Sequence, residues 1–201
     1  LSINSVNFDI KDFSWNTSLS ISTNKSKVLD LGGKEFLENG LGSRLIVDEP
    51  IGTFFGAKYL GTWKDGEILD NTNFKPGDPK FVDKDGNNVC TIADGEIIGN
   101  AEPAFYGGFG NTFRYKNVSL NVFFDFSVGN DVYDLYGANG YAGYNTNVYV
   151  SALDRWTPSN PTSDIPVAGS GFKYIYDSYA GKGGCSLFVQ DGSFLRLKNL
   201  N

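Results

Sequence analysis

The sequence has no histidine and no methionine, and its only cysteines are Cys90 and Cys185. Without histidine the commonest general base and the commonest metal ligand are missing. Ser-His-Asp, Cys-His and zinc-hydrolase arrangements therefore lack their central residue. Two cysteines are too few for a disulfide scaffold or a four-thiolate zinc site. They are either two separate thiols or one bridge between surface loops in an oxidising compartment. Long apolar runs are missing too, which excludes a transmembrane helix, since that needs about 18 or more consecutive apolar residues. It does not exclude a membrane β-barrel, whose strands alternate lipid-facing and lumen-facing residues and so keep a low average hydropathy. No signal peptide opens the chain. Leu1 begins directly in polar, strand-like sequence, so a leader is expected to have been removed or to lie upstream. Basic charge is in the minority, with 17 Lys and Arg against 23 Asp and Glu and a net charge of −6. Such a chain has no sequence-wide attraction to nucleic acid or anionic head groups, and no nucleic-acid partner is expected.

What the chain does have is 25 Gly, 16 Phe and 11 Tyr. Aromatic residues fit a pleated surface and glycine marks turns and bulges, so the composition favours strands and turns over helices. From Trp15 to Thr23 the alternation is strict. Trp15, Thr17, Leu19, Ile21 and Thr23 share one face, and Asn16, Ser18, Ser20 and Ser22 the other. Val6, Phe8 and Ile10 form a shorter strand before it, joined through a tight connection at Lys11, Asp12 and Phe13. Residues 25–49 are broken by glycines, and Lys34–Leu37 offers a helical turn at most. A strand-like stretch interrupted by glycine runs from Ile51 to Trp63.

The clearest hairpin lies between Phe105 and Val128, with a turn at Lys116-Asn117. Val118, Leu120, Val122, Phe124, Phe126 and Val128 are all apolar, and Ser119, Asn121, Phe123, Asp125 and Ser127 fall between them. The strand matches the length of a tilted membrane strand, about 9–11 residues, and exceeds the roughly 5–6 residues usual in a soluble sandwich. Asp125 reads as lumen-facing. Ser186 to Asn201 reads as a further strand. About six strands are expected, without internal repeats.

Two long polar regions, 64–103 and 129–185, separate these strands. The fold class expected is all-β, with antiparallel strands and long loops forming part of a transmembrane β-barrel. The whole of 1–201 is then a barrel segment, and regions 64–103 and 129–185 are extracellular loops within it. The alternative is a soluble carbohydrate-binding β-sandwich module, which the same alternation fits.

The region Gly77-Asp78-Pro79-Lys80-Phe81-Val82-Asp83-Lys84-Asp85-Gly86 resembles a stretch of SusC/RagA-like TonB-dependent outer-membrane transporters. Three further blocks follow in the family's order: Gly107-Gly108-Phe109 through Leu120, Arg155-Trp156-Thr157-Pro158-Ser159-Asn160-Pro161, and Phe188 through Asn199. The resemblance implies a large barrel filled by an N-terminal plug, sited in the cell outer membrane and importing nutrients with energy from TonB. It also implies a SusD-like surface lipoprotein as partner and oligosaccharides, or peptides, as cargo. Plug, TonB box and aromatic C-terminal residue are not in this sequence, so the chain is expected to be a fragment, a split chain or a partly traced one. No enzyme is expected. Glu96 and Glu102 have nothing in the sequence to bring them into one cleft as a glycosidase pair.

One loop has metal-ligand spacing. Asp83, Asp85 and Asn87 fall at positions one, three and five of a calcium loop, the Val89 carbonyl at seven and Asp94 at twelve. Hard oxygens clustered in a turning chain suit calcium. Against it, position six is Asn88 rather than glycine, and Asp94 is shorter than the usual glutamate. An acidic, ion-free surface loop is the alternative. The aromatic residues Tyr133, Tyr136, Tyr141, Tyr144, Tyr149 and Trp156 crowd one region. They suit stacking on sugar rings, and equally an interfacial girdle or plain loop packing.

Overall fold

A computed structural model describes residues 1–40, 42–67, 74–87, 90–141, 149–168 and 184–201, with backbone alone for 139–141. Among the described residues the strands are β1 (Ser2–Ile10), β2 (Phe13–Ser22), β3 (Phe36–Glu38), β4 (Arg44–Ile46), β5 (Thr53–Ala57), β6 (Tyr59–Thr62) and β7 (Pro79–Phe81). They continue with β8 (Glu96–Asn100), β9 (Phe105–Tyr115), β10 (Val118–Val128), β11 (Asp131–Tyr133), β12 (Gly184–Cys185), β13 (Val189–Asp191) and β14 (Phe194–Leu200). One short helix, α1, covers Leu135–Tyr141. The chain divides into two units. Unit 1 holds Leu1–Ser26, Asn100–Val132 and Asp191–Asn201, and unit 2 holds Lys27–Gly99 and Tyr133–Gln190.

Unit 1 is a five-stranded sheet in the order β1-β2-β9-β10-β14, antiparallel throughout. Period-two alternation makes each strand, and two-residue turns fix the register. Ile10 pairs with Phe13 across Lys11-Asp12, and Tyr115 with Val118 across Lys116-Asn117. Lys116 sits at φ 50°, in the left-handed region that tight hairpins demand. At the opposite end, Ser22 pairs with Tyr106 and Ser127 with Phe194. The long excursions therefore leave and return at one end of the sheet, and the tight turns lie at the other.

Two bulges modify the pattern. β1 starts at Ser2, earlier than the sequence indicates, and slips at Asn7, so Val6 faces Asn16 while Phe8 faces Trp15. Val6 thus lies on the opposite face from Phe8 and Ile10. A second slip at Lys198 interrupts the β10–β14 ladder.

Unit 2 is built from short strands. The expected Ile51–Trp63 strand is broken into β5 and β6. The break falls at Lys58, and Gly61, at φ 101°, lies inside β6 beside a slip in its pairing with β7. The Lys34–Leu37 segment leads into a strand rather than a helical turn, because β3 pairs with β4. The end of the chain is likewise divided, with a 3₁₀ turn at Ser186–Phe188 before β13 and β14. One pairing departs from the antiparallel expectation: β12 runs parallel to β5, Gly184 opposite Gly56 and Cys185 opposite Ala57. The backbones approach so closely that a Cβ on Gly56 would meet the Gly184 carbonyl.

Burial separates the units. Every buried apolar side chain among the described residues (Val28, Ala57, Pro79, Ala138, Pro166, Cys185 and Phe188) lies in unit 2. Tyr59, Phe81, Cys90, Tyr133 and Leu187 pack against the cluster that Ala57, Ala138, Cys185 and Phe188 form. A β-sandwich would bury one face of each sheet against another. Within unit 1 no second sheet covers the apolar face, which argues for the wall of a barrel.

Candidate functional site: a two-faced wall and an acidic loop

Cross-strand pairing sorts unit 1 into two faces. On one face stand Trp15, Leu19 and Ile21 of β2, then Phe109 and Phe113 of β9. Val118, Leu120, Val122, Phe124, Phe126 and Val128 of β10 complete it with Leu195, Leu197 and Leu200 of β14. Ile3, Phe8, Ile10, Phe109, Val118, Leu120, Leu195, Leu197 and Leu200 are largely exposed there. Such a contiguous apolar surface marks a lipid or protein contact. Near the tight-turn end the rings of Phe8, Trp15 and Phe113 stack in a row, with centroids 5.9 and 5.6 Å apart. This is the form of an interfacial aromatic belt.

Polar atoms on that face satisfy one another. Trp15 Nε1 and Thr17 Oγ1 each donate to Asn111 Oδ1 at 2.8 Å, and Asn7 Nδ2 donates to Thr17 Oγ1 at 2.6 Å. A wall in contact with hydrocarbon requires this, because no water is there to complete an open bond.

The opposite face is amide- and hydroxyl-rich. Asn4, Asn16, Thr112, Asn121, Phe123 and Asn199 border an open hollow of about 560 Å³. Thr112 Oγ1 donates to Asn121 Oδ1 at 2.9 Å. Phe123 is the apolar exception in this set. Its ring lies over β9, where a Cβ on Gly108 would stand 2.6 Å away, so glycine makes the room. Asp125 accepts two bonds from Arg196, from Nε at 3.1 Å and from Nη2 at 2.6 Å. Planar guanidinium and carboxylate match in this bidentate form. The sequence alone did not point to Arg196 or Asn199 as part of this face. For Phe123 the alternation contained the signal, since it shares parity with Asn121 and Asp125.

The acidic loop lies in unit 2. Carboxylate oxygens of Asp83, Asp85 and Asp94 come within 4.8 Å of one another. Val89, the expected carbonyl ligand, lies outside the described residues. Asn87 is described, but its amide Nδ2 donates to Asp85 Oδ2 at 2.8 Å. Asp94 is buried, and its oxygens are engaged: Lys84 N donates to Oδ1 at 2.9 Å, while Thr91 N and Oγ1 donate to Oδ2 at 2.7 and 3.1 Å. Thr91 in turn accepts from Ala93 N, which completes a capping box around the 3₁₀ turn Ile92–Asp94. Burial pushes the Asp94 carboxyl up, but the bonds from Thr91 and Lys84 outweigh it and hold the group below its ordinary range. Spacing in the sequence led to the three carboxylates. The Thr91-x-x-Asp94 pattern, also legible, points to the cap.

The remaining candidates take structural partners. Glu96 faces Lys58 at 3.7 Å and Lys84 at 3.4 Å. Glu102, in the other unit, accepts from Ser26 N at 3.0 Å and from Ser26 Oγ, which hold its carboxyl below the ordinary range. Tyr149 packs on Tyr136 with centroids 5.3 Å apart and donates to Asp134 Oδ1 at 3.1 Å. Tyr133 tilts against Phe54 and meets Phe188 edge to face. Trp156 covers Gly77, where any Cβ would collide with the indole. The Tyr141 side chain and Tyr144 lie outside the described residues.

No family model matches the chain. It is 38% identical to TonB-dependent receptor P26 of Formosa agariphila, over 99% of this chain and 21% of that relative. It is 36% identical to TonB-dependent receptor P3 of the same organism, over 100% of this chain and 20% of that relative. The chain thus spans about a fifth of the length of the curated relatives it matches. Among solved structures it resembles the RagAB peptide transporter, at 25% identity and TM-score 0.71, over 99% of this chain and 21% of that one. The RagAB peptide importer in its closed-closed state superposes with TM-score 0.72 at 24% identity, a likeness of fold.

Proposed function

Over the fifth of their length that it spans, this chain belongs to the SusC/RagA-type TonB-dependent receptors, and on that premise we propose that it forms part of the wall of an outer-membrane nutrient importer. The observation that carries this reading is the two-faced sheet of unit 1. Its apolar side is suited to lipid, its amide-rich side to a wet lumen, with short turns at one end and long excursions at the other. The tight turns at Lys11-Asp12 and Lys116-Asn117 are then periplasmic, and regions 64–103 and 129–185 extracellular.

The wall performs no bond-breaking chemistry. It excludes lipid on one side and on the other offers mainly amides and hydroxyls, beside the ion pair of Asp125 with Arg196. Uncharged donors and acceptors suit a cargo rich in hydroxyls or amides, so oligosaccharides or peptides fit it. The wider receptor would take its energy from TonB and work with a SusD-like surface lipoprotein. Deleting the gene for the full receptor and following uptake of labelled oligosaccharides and peptides tests this. Loss of uptake of one class supports the reading, and unchanged uptake of both contradicts it.

The acidic loop fits a supporting role. Calcium held by Asp83, Asp85 and Asp94 would offset the repulsion among three carboxylates within one turn of chain. Affinity is expected to be weak, with Kd about 10⁻⁴–10⁻³ M as in extracellular modules. Slower proteolysis of this loop in calcium than in chelator, abolished by Asp85→Ala, supports it. Equal rates leave an ion-free acidic loop.

A further inference from the structure

The two cysteines have no part in the transport reading. Cys185 lies in β12, buried, opposite Ala57 of β5. Cys90 is half-buried and packs against the cluster formed by Ala57, Ala138, Cys185 and Phe188. Both belong to unit 2. The fold therefore brings the chain's only two sulfur atoms, from distant stretches of sequence, to one small cluster. The Cys90 thiol is near enough to act on the ionisation of Cys185.

We infer that Cys90 and Cys185 are joined by a disulfide in the mature protein, stapling the acidic loop to the β5–β12 edge. In the structure Cys90 packs against the cluster that contains Cys185, and the two are not joined. The inference rests on the outer-membrane reading, because a chain on that route passes through an oxidising compartment. There a protein oxidant carrying a reactive disulfide supplies the chemistry. One cysteine thiolate attacks the oxidant's disulfide, forming a mixed disulfide and expelling one oxidant thiolate. The second cysteine thiolate attacks the first cysteine's sulfur, closes the Cys90–Cys185 bond and expels the other. Two electrons pass to the oxidant, which takes up the two protons and leaves as a dithiol.

Timing follows from burial. In the folded unit burial pushes the Cys185 thiol up to about 12, so almost no thiolate exists to exchange. The bond must close before β12 seats against β5. Once seated, the same burial shields it from reductant.

The test uses the full receptor in cells lysed into N-ethylmaleimide. The protein is fractionated, denatured without reductant, digested and read by mass spectrometry. A linked peptide pair containing Cys90 and Cys185, with neither sulfur alkylated until reductant is added, is expected. A Cys90→Ser variant, which leaves buried Cys185 in place, should lose protease resistance in the acidic loop by about tenfold. Reduced and denatured wild-type protein, refolded without oxidant, should show the same loss. Alkylation of both cysteines in receptor recovered from the outer membrane overturns the disulfide and leaves the transport reading standing. A linked pair in receptor absent from the outer-membrane fraction keeps the disulfide and overturns the transport reading. Unchanged proteolysis of the Cys90→Ser variant overturns the stapling role.

Discussion

Unit 1 and unit 2 solve the same problem, holding strands together, by different means. In unit 1 the strands are 9 to 11 residues long before the shorter β14, the pairing is continuous, and no fully buried apolar side chain is found among the described residues. Its ladder and a largely apolar face suffice if lipid covers that face. Unit 2 has short strands and a small core, so it depends on individual close contacts. Arg44, 4% exposed, lies between the rings of Phe36 and Phe55 at 4.3 and 4.1 Å and pairs with Glu38 at 2.8 Å. The Lys64 ammonium donates to Thr62 Oγ1, the Thr162 and Ser163 carbonyls and Asp164 Oδ1, at 2.8–3.1 Å. A wall shaped by its solvent tolerates change according to which side it faces. A loop domain shaped by single contacts tolerates change according to whether those contacts are touched.

That contrast can be broken by substitution. The largest effect is expected from Phe124→Arg, which puts charge on the outward face near the middle of β10. It should cost about 2–4 kcal/mol of folding stability in lipid, read by urea titration in vesicles. Asn121→Arg, on the polar face of the same strand, should change little. In unit 2, Gly56→Ala should destabilise by about 1–3 kcal/mol through overpacking against Gly184, seen as early proteolysis confined to this unit. Arg44→Met keeps the volume but removes the charge between two rings. It should cost about 2 kcal/mol and loosen the β3–β4 hairpin in hydrogen exchange.

The acidic loop should respond to pH with a defined sign. Asp94 is held below its ordinary value, so its contribution is complete above the unfolded-state value and is lost as pH falls through the lower folded one. Loop protection should therefore be flat from neutral pH down to about 5 and fall only in strong acid, where carboxylates protonate. Asp94→Ala should lower it at neutral pH by about 0.5–2 kcal/mol, the usual worth of a cap. The smallest effect belongs to Lys116→Gly. Relief of a left-handed lysine is offset by glycine's greater unfolded freedom, so stability should shift by less than about 1 kcal/mol.

Much of unit 1 was legible in the sequence because alternation and two-residue turns are local signals. Asn16, Ser18 and the apolar set from Val118 to Val128 stand on the faces their parity indicated. The bulge at Asn7 was not legible, since a one-residue slip leaves composition unchanged. Nor was the pairing of β2 with β9, because alternation does not name its partner strand. In unit 2 the local signals conflict with distant ones. Gly56 reads as a strand interruption until Gly184 is seen against it, and Phe36 reads as a helical turn until Arg44 is laid over its ring. Of the acidic loop, the three carboxylates were found by spacing. The use of Asp94 as a loop-closing acceptor depended on bonds from Lys84 and Thr91 that the calcium pattern does not encode.

The most direct measurement places a photoreactive benzoylphenylalanine at each position from 118 to 128 of the full receptor, irradiates whole outer membranes, and counts lipid adducts. Adducts should recur at 118, 120, 122, 124, 126 and 128 and be absent at 119, 121, 125 and 127. Adducts without this period, or none at any position, would contradict the assignment of this sheet as a barrel wall between lipid and lumen.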